Sequence, residues 1–167
     1  NATVFNGDIG DWNVSKVTDM KRMFSTANAF NGDISDWNVS KVTNFMAMFE
    51  GAAKFNRNIG DWNVSNVTDM RSMFSNANDF NQDLSGWCVS EIDRKPTGFD
   101  WSSALAENPD YLPIWGECPF TSEWTTTFTN QTITLPLVQN GVYEFTVYWG
   151  DGNSNDVSYT ATSPAEA

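Results

Sequence analysis

Residues 30–54 read FNGDISDWNVSKVTNFMAMFEGAAK, and the same residue types return 25 positions before and after them. Phe5, Phe30, Phe55 and Phe80 form one column, each followed by Asn6, Asn31, Asn56 or Asn81. Trp12, Trp37, Trp62 and Trp87 form a second, and Val14, Val39, Val64 and Val89 come two residues later. Ser15, Ser40, Ser65 and Ser90 follow, then Val17, Val42, Val67 and Ile92, and Phe24, Phe49, Phe74 and Phe99 close the set. A period of this size means that one unit cannot bury its apolar face alone and must stack on the next, so the spacing predicts a solenoid.

Within a unit, Ile9, Trp12 and Val14 make an apolar-x-x-apolar-x-apolar run. That is the leucine-rich-repeat spacing, in which alternate residues of a short strand point inward. It places Trp12 and its equivalents in the core; the competing reading is a row of ring faces that stack on sugars. Thr18 sits where a helix or tight turn is capped, and Met20, Met23 and Phe24 at offsets of three and four read as one side of one or two helical turns. The outward strand positions, Asn13, Asn38 and Asn63 with Ser15, Ser40 and Ser65, are expected to form a polar ladder on an exposed sheet face. This is the candidate interaction face for a protein or glycan ligand.

The repeat, Phe-Asn-x-Asp-Ile-x-x-Trp-x-Val-Ser-x-Val-Thr-x-Met-x-x-Met-Phe, resembles that of the BspA-like leucine-rich-repeat surface proteins over roughly residues 2–118. The resemblance implies an extracellular or cell-surface protein used for adhesion or interaction, without enzymatic activity. Departures are local. Phe45 replaces the first Met of its unit, and the fourth unit carries Cys88 in place of Asn and Lys95 and Gly98 in place of the two Met residues.

Composition points the same way. Aromatic residues reach 14% and charged ones only 18%, which suits a β or solenoid protein with a ring-filled core. The net charge is −12; every Lys and Arg lies before residue 96, and residues 119–167 carry Glu123, Glu144, Asp151, Asp156 and Glu166 with no basic partner. Such a surface repels phosphate backbones and anionic lipid, so neither nucleic-acid binding nor membrane attachment is expected. No apolar run is long enough to span a bilayer, and no signal peptide precedes Asn1, which reads as the start of a processed or excised product. Residues 1–4 align with 26–29, so the first coil is expected to leave apolar core and strand groups uncovered near Val4 and Phe5.

After residue 91 the pattern degrades into a cap of about 91–118, broken by Pro96, Pro109 and Pro113. Residues 103–108 have room for one helical turn, and Trp101, Leu105, Tyr111, Leu112, Ile114 and Trp115 supply apolar area to seal the last coil. Cys88 and Cys118 are the two cysteines; a disulfide between them stabilises the cap by roughly 3 to 4 kcal/mol. The rival is a pair of free thiols or metal ligands, though no His exists to complete a zinc site.

From residue 119 to 167 the texture is β-rich, with alternating runs at 123–128, 131–135 and 142–149 and a return at 156–160. Tyr143, Phe145, Val147 and Trp149 share one face of the third run. The run Tyr148-Trp149-Gly150-Asp151-Gly152 resembles the Trp-Gly-Asp-Gly turn of PKD-type immunoglobulin-like sandwiches. About seven strands make such a sandwich, and about four are readable here. The expected fold is therefore mainly β with short helical turns: a leucine-rich-repeat type parallel β-solenoid over 1–118, and a small, incomplete antiparallel β-sandwich over 119–167.

With no His, the commonest general base is missing, and no Ser-His or Cys-His pair can be built. Asp8, Asp33 and Asp83 form one acidic column, broken by Asn58, and Asp11, Asp36 and Asp61 form another. They read as turn formers that accept backbone N–H bonds; the alternative is a Ca²⁺ ion between stacked carboxylates. No cofactor is expected. Asn1, Asn13, Asn38, Asn63, Asn66 and Asn130 head N-x-S/T sequons and are candidate glycosylation sites. Two functions stay open: a non-enzymatic extracellular adhesion or recognition module, or a subunit that polymerises head to tail. In the second, Val4 and Phe5 of the uncovered first coil and the face of Tyr143, Phe145, Val147 and Trp149 are the assembly surfaces.

Overall fold

A computed structural model describes residues 3–119, 142–148 and 154–160. The chain divides into two compact units, Asn1–Ser122 and Glu123–Ala167.

In the first unit, apolar residues three apart are joined through the backbone. Trp12 N–H donates to the Ile9 carbonyl at 3.1 Å, Val17 to Val14 at 2.9 Å, Met23 to Met20 at 3.2 Å, Ala27 to Phe24 at 3.0 Å and Phe30 to Ala27 at 3.0 Å. The same bonds return one coil later, from Trp37 to Ile34, Val42 to Val39, Met48 to Phe45, Ala52 to Phe49 and Phe55 to Ala52. Each bond closes a tight turn. A coil is thus a chain of turns that each send an apolar side chain inward.

This overturns the expectation of a mainly β, leucine-rich-repeat type solenoid. Among the described residues of the first unit there is no strand; parallel pairing is reduced to the isolated bridges Asp19↔Asn44 and Asn44↔Asp69. The helical turns expected around Met20, Met23 and Phe24 are absent too. The reason is the backbone itself. Arg22, Ala47 and Ser72 sit at φ 58°, 55° and 55°, and four residues on Thr26, Gly51 and Asn76 sit at φ 59°, 70° and 56°. A left-handed residue at that interval ends both extended and helical runs. The apolar i, i+3 spacing, common to strands of this repeat and to helices, is here the spacing of turns.

Stacking holds the coils. Coil 1 covers residues 5–29, coil 2 30–54, coil 3 55–79, and coil 4 begins at 80. Phe5, Phe30, Phe55 and Phe80 stack face to face with centroids 5.7, 5.8 and 5.7 Å apart. Phe24, Phe49 and Phe74 form a parallel stack at 5.6 and 5.7 Å, and the two stacks meet at 4.1, 3.9 and 4.0 Å. Such pairs contribute about 0.5 to 1.5 kcal/mol each beyond their burial. The indole N–H groups of Trp37, Trp62 and Trp87 donate to the Ile9, Ile34 and Ile59 carbonyls of the preceding coil at 3.1, 3.2 and 3.0 Å. Trp12 departs from its column: it is 54% exposed, against 4% for Trp62, because the described residues place no coil beneath it. An asparagine ladder runs alongside, with Asn31, Asn56 and Asn81 N–H donating to the preceding Asn6, Asn31 and Asn56 Oδ1 at 2.8, 3.0 and 3.0 Å.

Coil 4 slips by one residue. Phe49 donates to Met73, 24 positions on, but Phe74 donates to Phe99, 25 positions on. Phe99 accordingly turns edge-on to Phe74 at 5.3 Å, and Trp115 meets it edge-on at 5.0 Å. The cap carries two 3-10 helices, Ala104–Glu107 and Pro109–Tyr111. It is fastened by Leu105 N–H to the Phe80 carbonyl and by Leu84 and Val89 N–H to the Tyr111 and Glu117 carbonyls, each at 2.8 Å. Cys88 and Cys118 are joined in a disulfide.

In the second unit, β1 (Val142–Tyr148) and β2 (Ser154–Thr160) form an antiparallel hairpin, with Val142 opposite Thr160 and Tyr148 opposite Ser154. The runs at 123–128 and 131–135 lie outside the described residues. Among the described residues, a two-stranded ribbon stands where the incomplete β-sandwich was expected, and each strand has one described partner.

Candidate functional site

Short side-chain turns decorate the outside of every coil. Asn13, Asn38 and Asn63 each accept, on Oδ1, the backbone N–H of the serine two residues on, at 3.2 Å in each coil. The same oxygen takes the hydroxyl of Ser15, Ser40 or Ser65 at 2.6, 2.7 and 2.7 Å. Each Asn side chain is exposed. The expected polar ladder on a sheet face is thus corrected: there is no sheet here, and the Asn–Ser bonds close within each coil. What remains outward is the Asn Nδ2 group, which has no hydrogen-bond partner among the described residues.

The acidic column Asp8, Asp33, Asn58 and Asp83 works in the same way. Gly10, Ser35, Gly60 and Ser85 N–H donate to its side chains at 3.3, 3.1, 2.9 and 2.9 Å. A single accepting oxygen is enough for this bond, so Asn58 closes the same turn as the aspartates. A third column, Asp19, Asn44 and Asp69, receives Lys21, Met46 and Arg71 N–H at 2.8, 2.9 and 3.0 Å. Asp11, Asp36 and Asp61 are exposed. Among the described residues no three His, Cys, Asp or Glu side chains gather as a metal-binding set.

These bonds carry a pH dependence. The Ser35 backbone and then its hydroxyl hold Asp33 below its ordinary value of 3.8, and the Ser85 hydroxyl and then its backbone do so for Asp83. The Arg71 guanidinium lowers Asp69 likewise. A lowered folded-state value stabilises the fold above the ordinary Asp range, and the gain is lost as pH falls through the lowered values. The melting temperature should stay level from neutral to about pH 5 and fall below about pH 4. Asp83→Asn, which copies the residue found at 58, should shrink that acid loss; an equal loss in this variant would show that the Ser85 bonds carry no linkage.

The sequons separate by geometry. Asn13, Asn38 and Asn63 keep Nδ2 outward, while Asn66 commits its Nδ2 to the Ser40 carbonyl at 2.8 Å. Asn1 and Asn130 lie outside the described residues. Of the assembly residues, Val4 is exposed and Phe5 half-buried against Phe30. Tyr143, Phe145 and Val147 lie on β1, and Trp149 falls outside the described residues.

Sequence reasoning missed a groove of about 620 Å³ between coils 3 and 4, lined by Thr68, Asp69, Met70, Arg71 and residues 92–97. Thr43 and Thr68 N–H each donate to the threonine carbonyl of the coil before, and Met20 and Phe45 N–H donate to the coil after. Asp93 and Met70 make no equivalent bonds, so the ladder opens where Arg94 replaces the turn-forming Asp or Asn. Arg71 is clamped on Asp69 at 2.7 Å and Lys95 on Asp100 at 2.6 Å. Lys95 at a Met position, followed by Pro96, was the available signal. Among the described residues no helix is long and apolar enough to cross a membrane.

No curated protein and no solved structure matches this chain. The family described as "Mycoplasma protein of unknown function, DUF285" matches residues 1–111, which includes the aromatic stacks and the asparagine turns. Since that match spans well over half of the 167 residues, the chain belongs to the DUF285 family.

Proposed function

We propose that this chain is a non-enzymatic recognition module of an extracellular, cell-surface protein, as the likeness of its repeat to BspA-like surface proteins suggests. It binds a protein or glycan ligand through the row of Asn–Ser turns. The observation that carries the reading is the repetition of one exposed motif in three consecutive coils, each with its Asn oxygen bound and its Nδ2 group outward. A side chain already held by its own turn loses little freedom on binding. Three such donors at a fixed spacing favour a ligand with regularly repeated acceptor oxygens, which polysaccharides and extended peptides both have.

The test keeps the turn and removes the donor. A variant with Asn13→Asp, Asn38→Asp and Asn63→Asp retains the accepting oxygen but loses every outward Nδ2 group. Screened on glycan and matrix-protein arrays, it should lose about tenfold or more in affinity for the ligands that the native chain retains. Its melting temperature at neutral pH should stay close to native. Undiminished binding by the variant, or no ligand for the native chain on either array, ends this reading.

A further inference from the structure

The groove between coils 3 and 4 is a break in a backbone ladder that joins the first three coils. Between coils 1 and 2, Thr43 N–H donates to the Thr18 carbonyl at 2.8 Å and Met20 N–H to the Asn44 carbonyl at 3.0 Å. Between coils 2 and 3, Thr68 donates to Thr43 at 2.9 Å and Phe45 to Asp69 at 2.8 Å. The parallel bridges at Asp19, Asn44 and Asp69 belong to this ladder. Its next step joins Asp93 N–H to the Thr68 carbonyl and Met70 N–H to the Arg94 carbonyl, and neither bond forms.

The cause is local. In each earlier coil Oδ1 of Asp19, Asn44 or Asp69 accepts the N–H two residues on and holds the segment in a turn. At the fourth position Arg94 offers no accepting oxygen, and Pro96, two residues on, has no N–H to give. The coils part here and rejoin at Thr97, whose carbonyl takes the Ser72 N–H at 3.1 Å.

Backbone groups are left open on both walls: the Thr68 carbonyl and Met70 N–H on coil 3, and the Asp93 N–H and Arg94 carbonyl on coil 4. None of them has a partner among the described residues. Each wall thus offers a donor and an acceptor, the combination that an extended backbone satisfies by strand addition. The groove's volume of about 620 Å³ lies within the range of ligand pockets, about 300 to 1,000 Å³. Met70 and Ile92, both buried, give it an apolar lining.

Charge selects the side chains of the occupant. Arg71 and Lys95 are each held by a carboxylate, Asp69 and Asp100. Arg94 is exposed and has no carboxylate partner among the described residues. Asp69 and Asp93 also line the groove, so it repels a polyanion and fits one placed carboxylate.

We propose that this groove binds an extended peptide segment of a partner protein. The segment pairs its backbone with Thr68 and Met70 on one side and with Asp93 and Arg94 on the other, and sets an Asp or Glu side chain on the Arg94 guanidinium. It uses none of the Asn–Ser turns, so it does not depend on the ligand proposed for them.

A phage-displayed library of random seven-residue peptides, panned on the native chain, supplies the probes. The recovered peptides should be enriched in Asp or Glu at one position. Synthetic copies should bind an Arg94→Glu variant at least about tenfold more weakly than the native chain. Arg94 is exposed and unbonded, so the variant should keep the native near-ultraviolet circular dichroism. The variant carrying Asn13→Asp, Asn38→Asp and Asn63→Asp should bind the peptides as the native chain does. Hydrogen exchange gives the second measurement: the Met70 and Asp93 amides should slow when peptide is added. Recovery of no peptide, equal affinity for the Arg94→Glu variant, or unchanged exchange at both amides would each overturn the proposal.

Discussion

Replacing Trp62 by alanine is expected to destabilise the first unit by about 3 to 5 kcal/mol, the range for a large buried aromatic. Two losses combine. The ring packs on Phe45 at 5.7 Å and is 4% exposed, so a cavity is left between coils. The Ile34 carbonyl also loses the indole N–H that meets it at 3.2 Å. Trp12→Ala is the matched control, since the same residue in the same column has no coil beneath it among the described residues. Its cost should stay below about 1 kcal/mol, as for surface substitutions generally. Denaturant unfolding of the two variants measures the contrast; similar losses from both would mean that burial between coils is not what the tryptophans contribute.

Removing the disulfide should have the next largest effect. The bond joins residues 30 apart in sequence. Opening that loop is expected to cost roughly 3 to 4 kcal/mol on the chain-entropy estimate. Cys88 stands where earlier coils carry the asparagine of the Asn–Ser turn, so in coil 4 a covalent tie replaces a turn bond. Its loss falls on the cap first, because Val89 and Leu84 N–H are held there by the Glu117 and Tyr111 carbonyls. In a Cys88→Ser, Cys118→Ser variant these two amides should exchange far faster, while Phe49 and Phe74 N–H, deep in the stack, keep their protection. Unchanged exchange at Val89 and an unchanged melting temperature would show that the cap holds without the bond.

The columns themselves were legible. A 25-residue return of Phe, Trp and Val names the residues that stack, and Phe30, Phe55, Phe80, Trp37 and Trp62 are all in the core. The local conformation was misread, because apolar residues at i and i+3 occur in helices, in strands of this repeat and in successive tight turns alike. What selects turns is the left-handed backbone at Arg22, Ala47 and Ser72, residue types with no intrinsic preference for that region. Their conformation is imposed by bonds to the neighbouring coil, such as Ala47 N–H to the Arg71 carbonyl at 2.9 Å.

The same division holds for the surface. Asn-x-Ser triplets are visible in the sequence as sequons or outward positions, but their closure into turns depends on backbone that other coils hold in place. The sequence by itself determined the stacking period, the membership of the aromatic columns and the candidate cysteine pair, because these follow from residue type and spacing alone. Only the tertiary structure decided that the coils are built of turns, that coil 4 slips by one residue, and which N–H groups donate to the following coil, as Phe49 does, and which to the preceding one, as Thr68 does. Those features depend on which backbone groups meet across coils 25 residues apart, and local propensity carries no information on that pairing.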